Sequence, residues 1–202
     1  MDATRPRLGI IGGSFDPPHL AHLAIASDAH ARLGLERVLF VPAAAPPHKD
    51  PHNATSAEVR LQMTELAVED DLRFVESSLE IERELVYTRD MLDAVAARFP
   101  GRDLFFIMGS DSLSQLDTWL DPFGILERAT LAVAPRFADA EELVQRAKDR
   151  WGTDRIVLVN APHFALSSTV IRERVAAGLP IRYLVPLAVE EYIVERGLYR
   201  RP

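Results

Sequence analysis

The sequence contains no cysteine, which excludes disulfides, iron–sulfur clusters, cysteine-ligated zinc and thiol catalysis. Lysine is scarce as well, because only Lys49 and Lys148 are lysines among the 23 basic residues. The formal net charge is -7. This acidic balance argues against a protein that coats DNA or RNA, since that binding needs many contacts between basic side chains and phosphates. Any anionic ligand must therefore be held by a few well-placed cations.

Long apolar runs are also absent from the sequence. No stretch has the length that a membrane-spanning helix needs, and the apolar run near the N-terminus is too short for the core of a signal peptide. We therefore expect a cytoplasmic protein that has no membrane partner and no nucleic-acid partner. The 202 residues, 48% of them hydrophobic, are enough for one sizeable core and too few for two ordinary domains with a linker.

Short apolar runs alternate with amphipathic segments along the chain. Strands are predicted over residues 8–11, 37–41, 72–75, 78–81, 104–108, 131–134 and 156–159. Helices are predicted over residues 21–33, 55–69, 88–99, 140–151, 168–177 and 189–196, with a capping box that begins at Thr55 and an N-cap at Thr88. Strands separated by helices indicate an α/β fold with a central, mostly parallel sheet. Ligands of such sheets bind beyond the carboxyl ends of the strands.

The segment GGSFDPPHLAH, residues 12–22, follows the first predicted strand and opens the first helix. Gly12 and Gly13 let the backbone approach a ligand closely, and the free N–H groups of a helix start suit phosphate. His19 and His22 are three residues apart, so they share one face of the helix and could both hydrogen-bond phosphate oxygens. A metal site and a structural histidine pair are the alternatives, although no third ligand is evident nearby.

Other phosphate and catalytic motifs are missing. The sequence has no Gly-Lys-Ser/Thr of a P-loop and no G-x-G-x-x-G after a strand. It has no G-x-S-x-G nucleophile elbow and no H-E-x-x-H zinc motif. These absences exclude the most common NTPase, dehydrogenase, hydrolase and metalloprotease interpretations.

Polar residues also follow the other predicted strands. Pro46-Pro47-His48-Lys49 follows the second strand, Gly109-Ser110-Asp111 follows the strand over residues 104–108, and Arg136 follows the next. Three hydroxyls and an arginine, Ser167-Ser168-Thr169 with Arg172, open the helix after the last strand. Single residues have simpler interpretations: Lys49 as a solvated loop lysine, Asp111 as a helix cap, and Trp119 as a core or rim aromatic. One capping hydroxyl does not explain three hydroxyls beside an arginine.

GGSFDPPHLAH resembles the G-[TS]-F-D-P-x-H-x-G-H signature of the HIGH-type nucleotidyltransferase superfamily, and is similar to that of the bacterial nicotinate-mononucleotide adenylyltransferases. The resemblance continues through PPHK, the pattern G-x-D-x4-L-x2-W from Gly109 to Trp119, and LSSTVIR where the family carries I-S-S-T-x-I-R. It covers almost the whole chain. Ala21 stands where the family usually has glycine, and we expect this added methyl group to be tolerated.

The resemblance implies a Rossmann-like, three-layer nucleotidyltransferase fold with a central, mostly parallel sheet. It implies one domain over residues 1–202, with a small C-terminal helical portion over about residues 168–202. The implied reaction joins ATP and nicotinate mononucleotide to give deamido-NAD and pyrophosphate, in NAD biosynthesis. Mg²⁺ is expected with ATP, held mainly by phosphates and water, and no residue is expected to ligate a metal. The sequence leaves open whether the chain forms a homo-oligomer.

The resemblance also assigns site residues. The implied catalytic residues are His19, His22 and Lys49. The implied ATP-binding residues are Gly12, Gly13, Ser14, Phe15, Gly109, Asp111, Ser167, Ser168, Thr169 and Arg172. The implied mononucleotide-binding residues are Asp16, His48, Thr88, Trp119 and Arg136.

Three alternatives stay open at this point. The chain could be another adenylyltransferase of the superfamily, such as the pantetheine-phosphate enzyme, although Thr88, Trp119 and the long C-terminal match favour the nicotinate enzyme. It could prefer the amide of the mononucleotide to the acid. It could also be a nucleotide-binding sensor without catalysis, although His19, His22 and Lys49 are all present.

Overall fold

A computed structural model describes residues 5–44, 55–135, 139–162 and 165–200. Its strands are β1 (Arg7–Gly13), β2 (Arg37–Pro42), β3 (Phe74–Glu76), β4 (Asp103–Gly109), β5 (Ala129–Ala134) and β6 (Ile156–Leu158). Its helices are α1 (Leu20–Leu33), α2 (Ala57–Val68), α3 (Leu79–Glu82), α4 (Thr88–Arg98), α5 (Ser110–Ser114), α6 (Pro122–Arg128), α7 (Ala140–Trp151), α8 (Ser168–Ala176) and α9 (Leu187–Glu195), with a 3₁₀ turn over Leu116–Thr118.

The six strands form one sheet in the order β3-β2-β1-β4-β5-β6, and every neighbouring pair is parallel. The predicted α/β fold with a parallel sheet is therefore confirmed. The chain moves outward from β1 in one direction through β2 and β3, and then starts again at β4 on the other side of β1. This reversal between β1 and β4 is the place where doubly wound sheets open a crevice for ligands.

Apolar side chains cover both faces of the sheet. Leu8 and Ile10 of β1 join a buried cluster with residues of α3 to α7, such as Leu92. Ile11 of the same strand joins a second cluster with residues of α1, α2, α8 and α9, such as Ile171. Because successive side chains of a strand point to opposite faces, the two clusters lie on the two sides of the sheet and make three layers.

Three local predictions are wrong. Residues 78–81, predicted as a strand, begin the short helix α3, in which the Glu82 N–H donates to the Ser78 carbonyl at 2.8 Å. The cap of α2 is Ser56 rather than Thr55, because the Ser56 hydroxyl accepts from the backbone one turn on. Tyr87 occupies the N-cap of α4, so Thr88 is its first helical residue. In each case the local backbone geometry decides the type of element or the residue at which it begins, and residue propensities alone do not predict that geometry.

Within the described ranges, none of the helices combines the length and the apolar character needed to cross a lipid bilayer.

Candidate active site

A cleft of about 220 Å³ opens at the carboxyl ends of β1 and β4, at the reversal of strand order. It is lined by Ile11, Gly12, Gly13, His22, Ile25, Phe106, Ile107, Met108, Gly109, Asp111, Ser112 and Trp119. Gly13 and Gly109 are the last residues of these two strands and line the cleft, so no side chain extends from either strand end into it. Six residues that the sequence assigned to the site are therefore brought to one cleft: Gly12, Gly13, His22, Gly109, Asp111 and Trp119.

His22 lies in the first turn of α1 and lines this cleft. The backbone N–H of His19 donates to Nδ1 of His22 at 3.1 Å. A neutral imidazole has one N–H and one acceptor nitrogen, so this bond assigns the proton of neutral His22 to Nε2. The ring can therefore donate from Nε2, as the predicted contact with phosphate requires.

Two neighbouring rings hold the His22 imidazole. The ring of His19 stacks on it with centroids 3.6 Å apart, and the ring of Phe15 meets its edge at 5.0 Å. Both supporting side chains are buried, with exposed fractions of 2% for His19 and 1% for Phe15. Of the two predicted catalytic histidines, His22 is thus the more accessible. Phe15, assigned to ATP binding, directs its side chain into the core.

A second pocket of about 480 Å³ adjoins the cleft and shares Ser112 and Trp119 with it. Thr88 and Tyr87, at the start of α4, line its other side. Trp119 stands at the junction of the two cavities, with its ring edge-on to Phe106 at 6.1 Å. Thr88 and Trp119, both assigned to the mononucleotide, therefore share one pocket beside the cleft. An indole at that junction offers an apolar face to a planar ring.

The start of α8 docks on the loop between β1 and α1. The Ser167 hydroxyl caps α8, which agrees with the simpler interpretation of a single hydroxyl at a helix start. The Ser168 hydroxyl donates to the Pro17 carbonyl at 2.8 Å, and the Arg172 guanidinium donates to the Asp16 carbonyl at 2.8 Å. Two segments that the sequence assigned to ligand binding, far apart in the chain, are thus joined by direct hydrogen bonds.

Asp16 is buried, and its carboxylate accepts a hydrogen bond from the Tyr199 hydroxyl at 2.6 Å. Burial raises the pKa of that hydroxyl above its usual value, and the charge of Asp16 raises it further. The hydroxyl therefore keeps its proton and remains a donor. Asp16, assigned to the mononucleotide, directs its carboxylate at the C-terminal segment, and this contact anchors the loop that precedes His19.

Tyr199→Phe tests this anchor. The change removes the hydroxyl donor to a buried carboxylate but keeps the ring, so we expect the free energy of unfolding to fall by about 1–3 kcal/mol at neutral pH. Urea unfolding with an unchanged m value is the measurement. Tyr183→Phe is the matched control, because the Tyr183 side chain is 82% exposed and should lose almost nothing. Equal stability of both variants would contradict the assigned role of the Tyr199 contact.

Arg60 in α2 carries none of the sequence motifs, yet it belongs to the surroundings of the site. It is 1% exposed, and its Nη1 donates to the Ser14 carbonyl at 2.9 Å. Burial lowers the pKa of this guanidinium, against the attraction of Asp16. Burial also raises the pKa of nearby Glu80 to about 7, against the attraction of Arg60. The sequence feature that could have identified Arg60 is its position within the apolar stripe of a helix, three residues before the buried Met63.

The remaining assigned residues are placed as follows. Ser14 accepts from Arg60 through its carbonyl, and Thr169 lies beside Arg172, whose Nη2 meets its hydroxyl at 3.2 Å. His48, Lys49 and Arg136 lie outside the described residues. Within the described ranges there is no group of three or more His, Asp or Glu side chains that could hold a metal ion. The ligand roles of all these residues stay predictions.

Comparisons with known proteins identify relatives of this chain. Residues 10–174 match the family model described as cytidylyltransferase-like. A protein of Thermus thermophilus named "Probable nicotinate-nucleotide adenylyltransferase" is 44% identical over 195 residues, covering 96% of this chain and 100% of its own. A protein of the same name from Thermomicrobium roseum is 42% identical over 198 residues, covering 96% of this chain and 92% of its own.

A likeness of fold accompanies these sequence matches. The structure of the nicotinic acid mononucleotide adenylyltransferase of Plasmodium falciparum, complexed with NaAD, superposes with a TM-score of 0.78. The superposition covers 96% of this chain and 97% of that one, at 20% sequence identity. At that identity the likeness concerns the fold, and it confirms the predicted Rossmann-like architecture.

Proposed function

The chain belongs to the cytidylyltransferase-like family and, within it, to the nicotinate-nucleotide adenylyltransferases, and we propose that the cleft between β1 and β4 joins ATP to nicotinate mononucleotide. The products are deamido-NAD and pyrophosphate, which places the enzyme in NAD biosynthesis. The observation that carries the proposal is the meeting of His22, Asp111 and Trp119 at the point where the strand order reverses.

In the proposed reaction a phosphate oxygen of the mononucleotide attacks the α-phosphorus of ATP. The new bond joins that oxygen to the α-phosphorus, and the bond from the α-phosphorus to the bridging oxygen breaks, so pyrophosphate leaves with the electron pair. A phosphate is already a competent nucleophile near neutral pH, and no covalent enzyme intermediate is needed. The protein contributes position and charge stabilisation, as in other phosphoryl transfers.

The two cavities divide the substrates between them in this proposal. ATP lies in the cleft, with its phosphates toward the N–H of His22 and the guanidinium of Arg172, and Asp111 accepts from a ribose hydroxyl. The pyridine ring of the mononucleotide lies in the adjoining pocket beside Trp119, with its carboxylate near the helix start at Thr88. The shared wall at Trp119 and Ser112 supports this division, since it makes the two cavities adjacent.

Mg²⁺ enters as part of the nucleotide substrate in this proposal. Among the described residues no group of three or more His, Asp or Glu side chains could hold the ion by itself, which suits an ion held chiefly by phosphate oxygens and water. When bound, the ion would neutralise charge on the phosphates. His22 and Arg172 would then donate to the phosphate oxygens that do not bind the ion.

Residues 1–202 are proposed to act as one nucleotidyltransferase domain with a helical C-terminal portion from about residue 168. The packing of α8 and α9 into the same buried cluster as β1 and β2 supports this proposal. A cytoplasmic location remains our expectation, as does the absence of a nucleic-acid partner. The proposal does not depend on the oligomeric state.

A pyrophosphate-release assay with ATP and three partners tests the function. We expect release with nicotinate mononucleotide, less with its amide, and none with phosphopantetheine. Release only with phosphopantetheine would assign the chain to the pantetheine-phosphate branch of the superfamily. Binding of ATP without release from any partner would favour a sensor, and would overturn the proposal.

Lys49→Ala tests whether Lys49 contacts phosphate. We expect kcat/KM for ATP to fall about tenfold, because a compact positive charge near phosphate oxygens is lost. The matched control is Lys148→Ala, since Lys148 is the only other lysine and lies on α7, 4.0 Å from Asp154. Steady-state kinetics of both variants give the result. Equal kinetics would remove Lys49 from the site.

A further inference from the structure

The Arg60 side chain bonds to three separate segments of main chain. Its Nη1 donates to the Ser14 carbonyl at 2.9 Å, its Nη2 to the Ala44 carbonyl at 3.2 Å, and its Nε to the Thr55 carbonyl at 3.2 Å. Ser14 directly follows β1, Ala44 lies two residues after β2, and Thr55 comes just before α2. One buried side chain therefore hydrogen-bonds to the segments that follow two neighbouring strands and to the segment that precedes α2.

The segment that Arg60 fixes borders the cleft. Ser14 follows Gly13, which lines the cleft, and the Gly13 carbonyl accepts from the Ala43 N–H at 2.9 Å. Arg60 thus adds two bonds beside an existing link between the ends of β1 and β2. A shift of the Arg60 guanidinium would also move the main chain at Ser14, because the two are directly hydrogen-bonded. The same loop continues through Phe15, whose ring supports His22.

Only a guanidinium can make this set of contacts. Its planar fork presents donors from three nitrogens in fixed directions, whereas a lysine has one nitrogen and an apolar side chain has no donor. Burying a cation costs free energy that an apolar residue of similar length would not require. The nearby carboxylate of Asp16 attracts the charge and offsets part of this cost. Packing alone therefore does not explain an arginine at position 60, whereas its hydrogen bonds to the three carbonyls do.

We infer that Arg60 is a positioning residue for adenylyl transfer, which holds the main chain at Ser14 and Ala44 so that the loop beyond β1 stays in register with the phosphates. It touches no substrate and acts through the backbone that borders the cleft. This inference rests on the proposed function for its kinetic consequence. Its consequence for ATP affinity does not require turnover.

Two variants separate positioning from a general effect on stability. Arg60→Lys keeps the positive charge and loses the fork, so it is the milder change and the one we expect to fold. Arg60→Met fills similar volume but removes both the charge and the donors. Both are assayed at a temperature where circular dichroism shows them folded. We expect kcat to fall about tenfold or more in each, because small displacements of a reacting group are costly. We also expect a weaker affinity for ATP, measured by calorimetry without the mononucleotide.

Thr64→Val is the matched control. It removes a hydrogen bond to the Arg60 carbonyl within α2, at 2.8 Å, and leaves the guanidinium in place. This control should lose stability but keep kcat and ATP affinity. If Arg60→Lys and Arg60→Met keep both values, or if Thr64→Val loses as much, the inference is overturned. If the unmodified protein releases no pyrophosphate, the proposed function fails, and the affinities alone then decide the role of Arg60.

Discussion

We expect His22→Ala to lower kcat about a hundredfold to a thousandfold, and to lower the free energy of unfolding by only about 1 kcal/mol. Negative charge builds on the phosphate oxygens as the leaving group departs, and a fixed N–H donor stabilises that charge most in the transition state. In the proposed role His22 is such a donor, because the His19 N–H donates to its Nδ1 at 3.1 Å and the proton of the neutral ring then lies on Nε2. The stacked and edge-on rings of His19 and Phe15 limit its rotation.

The stability cost is small for a structural reason. The alanine variant loses the acceptor for one backbone N–H at the helix start, which is comparable to the loss of a helix cap. The matched control is His30→Ala, which makes the same substitution in the last turn of the same helix, away from the cleft. Steady-state kinetics and urea unfolding of both variants are the measurements. Turnover of His22→Ala near that of the unmodified protein would refute the phosphate role.

The local architecture was predictable because it depends on short-range patterns. Apolar runs such as residues 104–108 can be satisfied only by burial on both faces, so they mark central strands. Glycines after a strand and polar residues at a helix start mark the ends that face a ligand. Gly12, His22 and Asp111 could therefore be assigned to one edge of the sheet from sequence, and they share one cleft.

What the sequence could not show depends on long-range contacts. Tyr199 meets Asp16 across 183 residues, and Arg60 meets Ser14 across 46, so no local window contains either pair. A single sequence likewise cannot show that the Phe15 side chain turns into the core. The error at residues 78–81 has the opposite cause. Alternation of apolar and polar residues over four positions fits a strand, yet a single helical turn also buries Leu79.

We expect Arg172→Ala to lower kcat/KM for ATP about a hundredfold. The guanidinium donates to the Asp16 carbonyl at 2.8 Å and meets the Thr169 hydroxyl at 3.2 Å, so it is fixed between the start of α8 and the loop beyond β1. Its five N–H groups exceed what these two contacts use, and the helix start beside it also favours an anion. Loss of charge-assisted hydrogen bonds to phosphate costs about 1.5–3 kcal/mol, which corresponds to the expected fall.

The controls for Arg172 lie on the same helix. Arg174→Ala removes a guanidinium two residues on, whose Nε and Nη2 donate to the Pro180 carbonyl at 3.0 and 2.8 Å rather than to the loop beyond β1. It should cost stability and leave kcat/KM for ATP unchanged. For Arg172→Lys we expect kcat/KM for ATP to lie between the values of the unmodified protein and of Arg172→Ala, because lysine keeps the charge and loses the planar fork. If Arg172→Ala and Arg174→Ala reduce kcat/KM equally, Arg172 acts only through the packing of α8, and the triphosphate must lie elsewhere along the cleft.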